Sequence, residues 1–242
     1  MTYVFLHGLG QTPAAWQPVL RRLAPENAVV SCPDLAALVP GPAPDYPSLL
    51  AALEEQLAPL PRPLHLCGLS LGGILALDYA LRRQEQVASA VLCAVPVRMP
   101  RTLLRIQDLL FGLMPERAFA GTGFSRQRMR SLARSMAALD FSPRLPELHR
   151  PVLVLCGSRD RANRRSAREL ARALPDARLH WIAGAGHELN TEAPEITAEL
   201  LRGFSREPDL TGSPPFYPQQ KREALPCGRR LPFLFVTGIS PR

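Results

Sequence analysis

Lysine is almost missing from this 242-residue chain: Lys221 is the only one, and the formal charge of +8 rests almost wholly on arginine. Arginine in place of lysine commonly follows nucleotide composition. No aromatic-basic motif or helix-turn-helix pattern accompanies it, so nucleic-acid binding finds no support. No apolar run reaches the roughly 20 residues of a membrane-spanning helix, so no stable membrane anchor is expected. The opening residues show no basic start and no cleavage site; Met1 leads straight into the strand-like Tyr3-Val4-Phe5-Leu6. A cytoplasmic location is therefore the expectation. The cysteines are Cys32, Cys67, Cys93, Cys156 and Cys227, an odd set without a paired short spacing. That argues against a disulfide framework and against a zinc site. Buried free thiols in a reducing compartment are expected instead.

Apolar residues make up 46% and charged residues 21%, ordinary values for a globular protein with one full-sized core. Short apolar runs at 3–6, 28–31, 64–67, 88–93, 152–156 and 179–182 alternate with helical patterns at 13–23, 48–57, 71–83, 165–174 and 194–204. Mostly continuous apolar runs of this kind suit parallel strands covered on both faces. The alternation predicts an α/β fold, a doubly wound, mainly parallel sheet of about six strands. Residues 96–150 contain no convincing strand and read as a helical cap inserted late in the sheet. They hold ten arginines against four acids, either a solvated helical face or a lid that favours anionic substrates. One domain would span 1–204. The Pro-rich segment 205–242 lacks a helical or strand period before 231–236, and is expected to be disordered or loosely docked and outside catalysis.

Three pieces carry chemistry. Gly68-Leu69-Ser70-Leu71-Gly72 sits between a strand pattern and a helix pattern. That is the strand–turn–helix context of a nucleophile elbow, in which small neighbours let strand and helix approach. Gly184-Ala185-Gly186-His187 follows the last strand run. His187 there can reach a serine two strands away, as general base and then general acid. Gly157-Ser158-Arg159-Asp160 follows the preceding run. Asp160 would orient the imidazole, and the order Ser70, Asp160, His187 suits a triad on one sheet edge. In His7-Gly8-Leu9-Gly10 the Leu9 amide, with that of Leu71, is expected to form the oxyanion hole. His7 is read as a structural group bonded to loop backbone, and His65 and His180 as packing residues. Leu109, Leu110, Phe111, Met114 and Phe124 of the cap are the candidate substrate contacts.

Together these residues resemble the α/β-hydrolase superfamily over about 2–204. Arg150-Pro151-Val152-Leu153-Val154-Leu155-Cys156-Gly157, and 183–188 followed by Ala193-Pro194-Glu195, are similar to a small carboxylesterase, enol-lactonase and menaquinone-pathway SHCHC-synthase branch. The resemblance implies that Ser70, Asp160 and His187 form the triad and that 96–150 is the cap. Two departures stand out: that family's two leading antiparallel strands are missing, and the tail has no counterpart. A serine nucleophile excludes the dehalogenase and epoxide-hydrolase chemistries of the fold, which need a carboxylate. The expected activity is hydrolysis of a small-molecule ester, thioester or lactone through an acyl-enzyme, with no metal or organic cofactor. A carbon–carbon lyase using the same triad, and a non-catalytic ligand receptor, are the alternatives.

Overall fold

The structure is a computed structural model and describes residues 1–23, 28–99, 109 and 111–206. Of the sequence-based expectations, those for Leu110, Cys227, most of the tail and residues 100–108 of the cap fall outside the described residues.

Six strands form one sheet: β1 (Thr2–Leu6), β2 (Val29–Ser31), β3 (Leu64–Leu69), β4 (Val87–Cys93), β5 (Val152–Gly157) and β6 (Ala177–Ile182). Their order is β2-β1-β3-β4-β5-β6, and every pairing is parallel. Parallel strands need crossovers, and the helices supply them. These are α1 (Gln17–Leu23), α2 (Leu35–Leu38), α3 (Tyr46–Leu57), α4 (Leu71–Arg82), α5 (Arg126–Ser135), α6 (Arg164–Ala173), α7 (Leu189–Glu192) and α8 (Pro194–Arg206). No helix among the described residues is long and apolar enough to cross a membrane.

The strand side chains alternate between two cores. Val4, Leu6, Leu66, Leu92 and Val154 face a larger one closed by α3, α4, α6 and the cap. Phe5, Cys67, Val91, Cys93 and Leu155 face a smaller one closed by Trp16, Val19 and the α8 residues Ala198, Leu200 and Leu201. Three of the cysteines, Cys67, Cys93 and Cys156, are buried free thiols, and Cys32 is half-buried.

Two helix starts differ from the sequence reading for local reasons. Helix α3 begins at Tyr46 because Asp45 caps it, accepting from the Ser48 N–H at 2.8 Å, with Pro47 in the first turn. The short α2 was not expected at all; Asp34 accepts from the Ala36 and Ala37 amides to start it.

The chain passes from β1 to β2 on one side, then crosses back to β3 on the other. The strand order therefore reverses between β1 and β3. The carboxyl ends at such a reversal leave a crevice open to ligands.

Candidate active site

Ser70 stands at that crevice, between β3 and α4. Its backbone has φ 51° and ψ −112°, a left-handed conformation that costs a non-glycine residue about 1–3 kcal/mol. The surroundings enforce it. The Ser70 N–H donates to the Cys93 carbonyl at 2.9 Å, and its carbonyl accepts from Ile74 at 2.9 Å. A Cβ on Gly68 would fall into the Gly72 backbone, and one on Gly72 into the Leu6 and His7 carbonyls. Glycine at these two positions lets α4 start directly against β1 and β3.

Asp160 and His187 meet because β5 and β6 are neighbours whose loops keep pairing past the strands. Ser158 N–H donates to Ile182 at 2.9 Å, and Arg159 N–H to Ala185 at 2.9 Å. Ser158 Oγ accepts from the Gly184 N–H at 2.9 Å. Nδ1 of His187 then lies 2.9 Å from Asp160 Oδ2, the bond that orients the imidazole. Asp160 is buried. Burial pushes its carboxyl up, but the hydrogen bond and charge of His187, with two bonds from Asn163, outweigh it and hold the group below the ordinary carboxylate value.

His187 follows the strand three places from β3 in the sheet, not two as the sequence reading had it. The glycine-rich loop before it spans the difference. Ser70 and His187 line one cavity of about 420 Å³ with Asn163, Leu9 and Leu71, a volume suited to a small ligand. Leu71 opens α4, so its N–H has no acceptor one turn back. Leu9 sits in the turn closed by the Gln11 N–H to Gly8 carbonyl bond at 3.1 Å.

The apolar wall is Leu9, Leu69, Ile74, Met99, Phe111, Met129 and Met136. Of the cap residues singled out from sequence, Phe111 lines this cavity. Leu109 is 64% exposed, Met114 packs against the core, and Phe124 is buried beneath the Arg128 guanidinium. A helical period marks an apolar face, but not which part of it meets a cavity; Met129 and Met136 take that place.

Several cap arginines among the described residues are held by hydrogen bonds or ion pairs. Arg128 donates to the Ala36 and Val39 carbonyls at 2.6 Å each, binding α5 to α2. Arg126 donates to Met114 and Arg144 to Leu81. Arg98 lines the cavity but pairs with Glu169 at 2.6 Å. Arg165, which also lines it, comes from α6 rather than the cap.

His7 is fully buried. Its Nδ1 donates to the Gly8 carbonyl at 2.9 Å and its Nε2 accepts from the Leu35 N–H at 3.1 Å. Burial lowers its pKa, so it is a neutral strut under the loop that carries Leu9.

Three supports escaped sequence reasoning. The Glu192 carboxylate accepts from the Gly186 N–H at 2.7 Å and the Glu188 N–H at 3.0 Å, bracketing His187. Gln11 and Asn190, both buried, exchange side-chain hydrogen bonds at 3.0 and 3.3 Å, while Gln11 Oε1 also takes the Gly8 N–H. Asn163 bonds Asp160. Glu192, five residues after His187, and Asn163, three after Asp160, lay close enough in sequence to have been suspected.

Comparison with known proteins agrees with this fold. The sequence signature of the alpha/beta hydrolase family matches residues 3–200. A pimeloyl-[acyl-carrier protein] methyl ester esterase of Aromatoleum aromaticum is 28% identical over 84% of this chain and 97% of its own length. The biotin biosynthesis bifunctional protein BioHC of Cellvibrio japonicus is 28% identical over 83% of the chain, which spans 47% of that longer protein. Among solved structures, the enol-lactonase of Burkholderia xenovorans LB400 superposes with a TM-score of 0.68 at 23% identity, over 85% of this chain and 91% of its own.

Proposed function

The chain belongs to the alpha/beta hydrolase family, and on that premise we propose that it hydrolyses carboxylic esters, or related thioesters and lactones, with Ser70 as nucleophile. One observation carries the reading. His187, paired with Asp160 at 2.9 Å, faces the same cavity as a serine held in a left-handed backbone.

In this reading His187 takes the Ser70 hydroxyl proton as Oγ attacks the ester carbonyl. The Leu9 and Leu71 amides receive the charge that develops on the carbonyl oxygen; losing one such donor typically costs about 3 kcal/mol in the barrier. The proton passes from His187 to the leaving alcohol. Water, deprotonated in turn by His187, then clears the acyl-enzyme. Asp160 stays ionised throughout and stabilises the transient imidazolium.

The substrate class follows from the walls. Methionine, leucine, isoleucine and phenylalanine side chains suit an acyl chain of moderate length, and methionines adapt to more than one shape. The curated relatives named as methyl ester esterases fit that chemistry. The lyase alternative called for cap arginines facing the substrate. Arg126, Arg128 and Arg144 instead hold carbonyls, and Arg98 is paired.

Ser70→Ala should abolish turnover of p-nitrophenyl esters across a series of chain lengths, by about 10³-fold or more. A folded Ser70→Ala protein with wild-type turnover would sink the proposal.

A further inference from the structure

Asn163 occupies the N-cap position of α6, where an asparagine side chain ordinarily accepts a hydrogen bond from the helix's first turn, worth about 1 kcal/mol. Here it makes no such bond. The side chain, only 2% exposed, turns instead toward Asp160. We infer that Asn163 is a positioning residue of the proposed triad, holding the Asp160 carboxylate and, through it, His187 in register with Ser70. This inference rests on the hydrolase reading above.

The grip is on both carboxylate oxygens. Asn163 Nδ2 donates to Asp160 Oδ2 at 2.8 Å, and the Asn163 N–H donates to Oδ1 at 3.3 Å. Oδ2 is the same oxygen that takes the imidazole N–H at 2.9 Å. The amide nitrogen must face the carboxylate, since the amide oxygen there would meet like charge. Among the described residues, His187 and Asn163 are the only donors to Asp160. Nδ2 also lies 3.3 Å from His187 Nδ1. Both atoms are donors while Nδ1–H points at Asp160, so this approach is packing that limits the swing of the ring.

Other charges meet the pair from several elements. Arg98, Arg165, Glu169 and Glu188 line the same cavity. Arg164 and Arg168 stack over Trp181, and the Glu192 carboxylate holds the backbone on either side of His187. The Cys156 thiol nearby stays protonated, its pKa pushed up to about 12 by burial and by the Asp160 charge. Among the described residues, none of these groups donates to the Asp160 carboxylate.

Removing the Asn163 donor has two separable consequences. The carboxylate gains rotational freedom, so fewer molecules hold His187 aligned with Ser70. Its charge is also less satisfied and stabilises the imidazolium more strongly. The first lowers the plateau rate, and the second moves the acid limb of the pH profile to higher pH. General destabilisation does not produce the second.

The test is the rate at which a fluorophosphonate probe labels Ser70, followed from about pH 5 to 9, beside p-nitrophenyl ester kinetics. Asn163→Leu keeps the branched outline and removes the side-chain donor; Asn163→Ala carries the same test if leucine does not fit. The expected result in either folded variant is a plateau labelling rate and kcat reduced about tenfold or more, KM within about twofold, and an acid limb raised by about half a pH unit. A folded variant that labels as fast as wild type at every pH, with wild-type kcat, overturns the inference while leaving the hydrolase reading intact. Wild-type protein that takes no label, together with a Ser70→Ala protein of full turnover, overturns both.

Discussion

At the scale of single residues, the site is built from groups whose environment sets their state. Ser70 is held in a left-handed backbone by its bond to Cys93 and by the closeness of Gly68 and Gly72 to neighbouring carbonyls. His7 is held neutral by burial, with Nε2 committed as an acceptor to Leu35. Protonating it breaks that bond. Its folded pKa lies below the unfolded value of about 6.5, so the unfolded chain takes up the proton first. The stabilisation is full above that pH and is lost as pH falls toward the folded value. Burial acts with the same sign on His65 and His180. Urea midpoints should therefore decline from pH 7 to about pH 5, and His7→Gln, less stable at pH 7, should decline more gently. Parallel slopes for the two proteins would remove His7 from this account.

At the scale of elements, loops distant in sequence are joined by buried amides as well as by apolar contact. Gln11 holds the Gly8 N–H at the start of the Leu9 loop, and the same side chain bonds Asn190 in α7, directly after His187. One pair thus couples the proposed oxyanion loop to the proposed base loop. Truncating either partner leaves a buried amide without its mate, at about 1–3 kcal/mol. Gln11→Ala and Asn190→Ala should each lower stability and kcat, and the double variant should lose less than the sum, with a coupling of about 1 kcal/mol. Strictly additive losses in a double-mutant cycle would mean that the loops are positioned independently. Arginine does similar work in the cap, where Arg128 ties α5 to carbonyls of the α2 segment.

At the scale of the whole molecule, a parallel sheet with two cores places every described cavity residue between Gly8 and Glu188. Helix α8, ending at Arg206, completes the smaller core through Ala198, Leu200 and Leu201. A chain ending at Arg206 should therefore keep its thermal midpoint and its ester turnover. A large fall in either, measured against the 242-residue chain, would give the remaining segment a part in the fold or the site.

The sequence by itself determined what depends on near neighbours. Six apolar runs and the helices between them were legible because period and run length are local properties, and they reappear as β1 to β6 within a residue or two at most ends. The Ser70 elbow was legible because its glycines are adjacent to it. Asp160 and His187 were legible because each follows its strand directly. The tertiary structure decided what depends on segments far apart. That includes the three-strand reach from His187 to Ser70, the Gln11–Asn190 pair, and the choice of Met129 and Met136 over Leu109 as cavity wall. A hydrogen bond between residues 179 positions apart leaves no periodic trace in the chain. The direction of a side chain is set by the neighbour it meets, and that neighbour exists only once the sheet has brought the two loops together.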